Sequence, residues 1–101
     1  MDAYENAKIV TVCLQIGNSD NKLSQQEWAN YVFQTDEQVT RFARERHFFG
    51  GAETWARWQN VCWIFIMEEQ RIESFFRGLT IIRQNFNQES MAILVGETKF
   101  V

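Results

Sequence analysis

The sequence predicts one α+β domain in which a four-stranded antiparallel sheet carries two helices on one face. Three observations predict it. Two runs are β-branched and apolar, two longer stretches repeat apolar residues at three- and four-residue steps, and the two kinds alternate along 101 residues with no linker between them. Proline is absent, and Gly50-Gly51 is the only glycine pair.

Lys8 to Ile16 places Val10, Val12, Leu14 and Ile16 on one face at period two, which predicts a central strand. Gly17-Asn18-Ser19-Asp20-Asn21 stops it with turn formers, and Ser24 followed by Glu27 is a capping box that starts a helix. From Ser24 to about Arg44, Trp28, Tyr31, Val32, Val39, Phe42 and Ala43 form one apolar stripe. Arg46 to Phe49 reads as an edge strand, with Gly50-Gly51 expected to supply a positive-φ turn straight after it.

Gln59 to Met67 is almost wholly apolar beyond its first two residues, as a strand covered on both faces would be. Glu68-Glu69 sets negative charge where a second helix is expected to begin, and Ile72, Phe75, Phe76, Leu79, Ile82 and Phe86 continue it. Gly78 inside that helix predicts a close contact with the sheet. Asn85 to Ser90 ends the helix, and Met91 to Val95 resumes strand character. The order is βαββαβ, the ferredoxin-like or split βαβ arrangement, in a single domain over residues 1–101.

Composition excludes several classes. With 46% apolar and 15% aromatic residues the chain is not disordered. Its longest apolar run, Val61 to Met67, is far short of the roughly 20 residues that span a bilayer. No basic segment precedes an apolar one near the N-terminus, so the expected address is the cytoplasm. A net charge of −3 disfavours nucleic acid, which is gripped by clustered Lys and Arg. Cys13 and Cys62 each lie in an apolar stretch and read as reduced core residues.

Catalytic stock is thin. His47 is the single histidine and stands at a strand edge. One His and two distant Cys give no zinc spacing, so no metal and no cofactor are expected. Glu69 and Glu73 read as a solvated helix face beside Arg71 and Arg77. Neither GxxxxGK[ST] nor GxGxxG occurs.

The richest stretch is Gly17 to Ser24. It leads from a central strand into a helix N-terminus, where backbone N–H groups, the helix dipole and Lys22 favour an anion. An Asx turn with a Ser24 cap accounts for the same residues without a ligand. Gln59-Asn60 and Asn85, Asn87, Gln88 and Ser90 are two further amide clusters, and spacing alone leaves open whether they meet the loop in one subunit or across a dimer. The candidate ligand-binding residues are Asn18, Ser19, Asp20, Lys22, Arg46, His47, Gln59 and Asn60, with Trp55, Trp58 and Trp63 as a stacking wall or as packing.

The strand alternation also makes a demand. If Val10, Val12, Leu14 and Ile16 face the helices, then Thr11, Cys13 and Gln15 face the open side of the sheet, beside one of two apolar sets of the third strand. Such a face on a soluble chain marks an interface, and two-fold pairing of identical patches predicts a homodimer or higher even oligomer.

The block Ile16 to Trp28, with Gln59-Asn60-Val61-Cys62-Trp63 and Gln88-Glu89-Ser90-Met91-Ala92, resembles small uncharacterised bacterial and phage one-domain proteins, a resemblance that implies no activity. Their third block tends toward Gln-Asp-Ser, so Glu89 is a departure. The topology is similar to that of the dimeric α/β-barrel group, which implies subunits packed sheet against sheet around a ligand. Haem would need a placed axial histidine, which His47 at an edge does not supply. The RNA-recognition fold shares the topology, but Thr11, Cys13 and the acidic charge disfavour base stacking here.

The resulting expectation is a non-enzymatic dimer that binds or sequesters a small nucleotide-like signal, as a phage-type sponge would. The alternative is an interaction module that docks or inhibits a partner through the open sheet face. A small isomerase or monooxygenase using His47 or Cys62 is a third reading.

Overall fold

A computed structural model describes residues 7–52 and 59–101. Its elements are β1 (Ile9–Gly17), α1 (Gln25–Phe42), β2 (Glu45–Gly51), β3 (Asn60–Glu68), α2 (Ile72–Asn85) and β4 (Ala92–Gly96), with short 3-10 turns at Ser19–Asn21 and Glu69–Arg71. The strands form one antiparallel sheet in the order β2-β3-β1-β4, the expected split βαβ topology. No helix among the described residues is long and apolar enough to cross a membrane.

The core lies between sheet and helices. Val10, Val12, Leu14 and Ile16 of β1 and Val61, Trp63, Phe65 and Met67 of β3 are buried against Trp28, Tyr31 and Val39 of α1 and Phe75 and Leu79 of α2. That decides which set of β3 faces the helices. Thr11, Cys13, Gln15, Cys62, Ile64 and Ile66 occupy the alternate positions, on the open face.

Local chemistry sets the helix ends. Ser24 Oγ accepts from the Glu27 backbone N–H at 3.2 Å, and Glu27 Oε1 accepts from the Ser24 N–H at 2.9 Å, so the expected capping box starts α1. At the end of α2, Asn87 adopts a left-handed φ of 54°, and the Asn87 and Gln88 N–H groups return to the carbonyls of Gln84 and Arg83. This is a Schellman motif with asparagine in the usual glycine position.

Three expectations are corrected. Gly50-Gly51 makes no positive-φ turn: the pair continues β2, opposite Cys62 and Val61, because backbone pairing with β3 extends the edge strand to Gly51. The second helix does not begin at Glu68-Glu69. Glu68 ends β3, Glu69 lies in the 3-10 turn beside Lys8 at 3.3 Å, and the helix begins at Ile72. Gly78 approaches α1 rather than the sheet, since a Cβ there would fall 2.1 Å from Gln38 Nε2.

Candidate functional site

Antiparallel pairing of β1 with β3 puts the end of one strand beside the start of the other, so Gly17 stands opposite Asn60. The α2–β4 loop arrives at the same end, because β4 also runs antiparallel to β1 and begins with Ala92 opposite Gln15. The three polar clusters therefore meet within one subunit. Between them is a cleft of 330 Å³ lined by Gln15, Ile16, Gly17, Asp20, Asn60, Ser90 and Ala92.

The cleft opens at the loop end of the open sheet face. Gly17 keeps its floor low: a Cβ there would lie 3.3 Å from Asn60 Oδ1. Asp20, with a left-handed φ of 56° that Asp and Asn tolerate, stands exposed at the rim. A neighbouring hollow of 250 Å³ is lined in part by Gly50, Gly51, Phe48 and Cys62, and it shares Gln15 and Asn60 with the first.

Asn18 is not in the cleft. It is buried and turned into its own loop, where Oδ1 accepts from the Leu23 N–H at 2.9 Å. Its Nδ2 donates to the Leu23 carbonyl at 3.0 Å and to Gln59 Oε1 at 3.1 Å. Its own N–H donates to the Gln59 carbonyl at 3.1 Å. Gln59 is committed in turn, since its Nε2 donates to Gln25 Oε1 at 3.0 Å.

Ser19 contributes backbone to the 3-10 turn. Lys22 reaches Glu89 at 3.5 Å, an exposed ion pair that partly neutralises it. The N–H groups of Asn18, Asn21, Leu23 and Glu27 already have partners in the loop and cap. The loop therefore keeps few donors for an anion, and the Asx-turn-and-cap account of these residues describes its geometry.

Arg46 and His47 lie away from the cleft on β2, with Arg46 opposite Phe65 rather than near Asn60. Arg46 donates to Asp36 Oδ1 at 2.6 Å and to Thr40 Oγ1 at 2.7 Å, tying β2 to α1. Trp63 Nε1 donates to the same Asp36 oxygen at 2.9 Å. The Arg46 hydrogen bond, followed by that of Trp63, holds the Asp36 carboxyl below the usual aspartate range against the opposing effect of its partial burial.

His47 occupies the bulge between Arg46 and Phe48, 3.8 Å from Glu45 Oε1. Trp63 is wholly buried beneath the helices, so it is not a surface stacking wall, while Trp55 and Trp58 lie outside the described residues. Among the described residues no group of three or more His, Cys, Asp or Glu is placed to hold a metal ion.

The candidate list omitted Gln15, Gly17 and Ser90. Period-two alternation already put Gln15 on the open face, and strand adjacency puts Gly17 beside Asn60. Ser90 has no sequence signal beyond its polar neighbours.

No family model matches the chain, and no curated protein matches its sequence. Solved structures do resemble it. A hydroxynitrile lyase from Passiflora edulis superimposes with a TM-score of 0.59 at 12% identity, over 94% of this chain and 97% of that one. A conserved protein from Methanosarcina mazei Go1 gives a TM-score of 0.54 at 8% identity, over 95% and 98%. What they share with this chain is the fold. At these identities the shared fold carries no activity with it.

Proposed function

We propose that the chain is a binding protein that holds a small nucleoside-like ligand in the cleft at the loop end of its open sheet face, as a homodimer formed through that face. The observation that carries the reading is the convergence of the β1 end and its following loop, the first residue of β3 and the α2–β4 loop on a concavity lined by two amides, a hydroxyl, a glycine backbone and one carboxylate. Amides present donors and acceptors to the edge of a heterocycle, and a carboxylate accepts from a ring N–H or a sugar diol.

This set favours the base and sugar of a nucleotide over its phosphate, because Asp20 lines the cleft and Lys22 is paired with Glu89. Acid–base conversion of the ligand has little support here: Asp20 is the one titratable side chain in the lining. Holding the ligand, or withholding it from other proteins, needs no more than the donors and acceptors present.

The dimer reading rests on the open face. Cys13, Cys62, Ile64, Ile66, Phe48 and Leu94 carry no charge, and Leu94 and Phe48 are 73% and 50% exposed. Glu45 opposite Ile66 and Glu68 opposite Ile9 stand at one end of this face, so two-fold pairing is centred on the uncharged patch around Cys13, Cys62 and Leu94.

Titration calorimetry with a panel of nucleosides and their monophosphates tests the ligand. Saturable binding at one site per chain is expected, with Asp20→Ala weakening it roughly ten- to hundredfold, the range for a hydrogen bond to a charged group. Heat absent across the panel, or affinity unchanged in Asp20→Ala, overturns the reading. Sedimentation at micromolar concentration is expected to give twice the chain mass.

A further inference from the structure

Cys13 of β1 and Cys62 of β3 are both free and half-buried on the open face, and their sulfurs lie 3.6 Å apart. The register explains the contact. Cys13 stands opposite Ile64 and Cys62 opposite Gln15, so the two cysteines are diagonal neighbours on one side of the sheet. Diagonal Cα atoms in an antiparallel pair are about 7–8 Å apart, beyond the roughly 4.4–6.8 Å an unstrained disulfide spans. Closing from contact to an S–S bond of about 2.05 Å therefore draws the two central strands together, and a bond made under such strain is readily reduced.

We infer that Cys13 and Cys62 form a reversible dithiol–disulfide couple on the open sheet face, closed by exchange with a low-molecular-weight disulfide and reopened by a thiol. The Cys13 thiolate attacks one sulfur of the small disulfide. The Cys13–S bond forms, the small S–S bond breaks, and one small thiolate leaves with the electron pair. Cys62 then gives its proton to solvent and attacks the Cys13 sulfur. The internal bond forms as the mixed disulfide breaks, and the second small thiolate leaves. Two protein thiols are oxidised and one small disulfide is reduced to two thiols.

The order of the steps has a physical basis. Burial first, and the adjacent Cys13 sulfur second, push the Cys62 thiol up to about 11, so Cys62 is the slower nucleophile and acts best on a sulfur already held against it. Neither sulfur lines the ligand cleft, so the couple stands or falls apart from the ligand reading; the proposed dimer covers both sulfurs, and the single-chain Leu94→Asp variant therefore carries the decisive exchange test.

The test incubates the reduced full chain with excess glutathione disulfide, quenches in acid and reads intact mass and peptide maps. The expected product is lighter by two hydrogens, with one bond joining the Cys13 and Cys62 peptides, an unchanged far-UV spectrum, and complete reversal by dithiothreitol. Cys62→Ser is expected to stop at a single glutathione adduct on Cys13. The same assay on Leu94→Asp keeps the face free of a second copy. Wild-type and Leu94→Asp chains that accumulate glutathione adducts without the internal bond, cross-link between chains, or keep both thiols free overturn the proposal.

Discussion

Asn18 uses its side-chain amide inside the loop, bonding Leu23 on both its N–H and its carbonyl and reaching Gln59 besides. Asn18→Ala leaves buried groups without partners, which costs about 1–3 kcal/mol each. A lowered urea midpoint at unchanged slope is the expected result; an unchanged midpoint would contradict this role of Asn18 in holding the loop. Asp36 makes a pH prediction. Its folded pKa is depressed by Arg46 and then Trp63, so its contribution is present above the ordinary aspartate pKa and is lost as pH falls through the folded value. Asp36→Asn should therefore lose less stability between about pH 5 and pH 2 than the wild type, read by thermal melts across that range.

Tyr31 works in the opposite direction. Burial raises its phenol to about 12, and its hydroxyl has no hydrogen-bond partner among the described residues. A raised acid contributes stability below the unfolded value near 10 and loses it as pH rises through the folded value. Tyr31→Phe should keep or raise the melting temperature at pH 7 and flatten its fall above pH 10, because an unbonded buried hydroxyl is costly to desolvate. A large loss at pH 7 would mean that the hydroxyl has a bonding role.

At the level of elements, the α1–α2 contact is the most specific. Gln38 is buried, and its Nε2 donates to the Phe75 carbonyl at 3.3 Å across the space that Gly78 leaves open. Gly78→Ala should gain up to about 1 kcal/mol of helix propensity yet destabilise the protein, because the new methyl displaces that amide. In a Gln38→Ala background the same change should become stabilising, and a double-mutant cycle in urea reads the coupling.

Both helices were legible from their apolar spacing, and the start of α1 from Ser24 and Glu27, since these signals are local. The start of α2 was not, because Glu68 and Glu69 suit a helix N-terminus by charge while pairing with β1 extends β3 to Glu68. Gly50-Gly51 misled for a similar reason: glycine permits a turn, and ladder pairing with Cys62 and Val61 decides against one.

On the scale of the whole molecule, βαββαβ order was readable, and its consequence for the site was readable in principle. An antiparallel β1–β3 pair must place Gly17 near Asn60, and β4 must bring Ser90 to the same end. What spacing could not supply was the inward turn of Asn18 or the removal of Arg46 and His47 to another part of the sheet, because both depend on side-chain packing. The open face makes its own prediction. Leu94→Asp places a charge on each copy of the patch and should convert a dimer to single chains with an unchanged far-UV spectrum, read by sedimentation. A dimer unaffected by that charge would have formed through another surface.

The most direct test of the binding cleft is residue-resolved: amide chemical shifts of the isotope-labelled chain followed while a nucleoside is added. The cleft predicts saturable shifts concentrated at Gln15, Gly17, Asp20, Asn60 and Ser90, with the outer faces of α1 and α2 undisturbed. Shifts confined to the helices or to the centre of the sheet face, or none across the nucleoside panel, would contradict it.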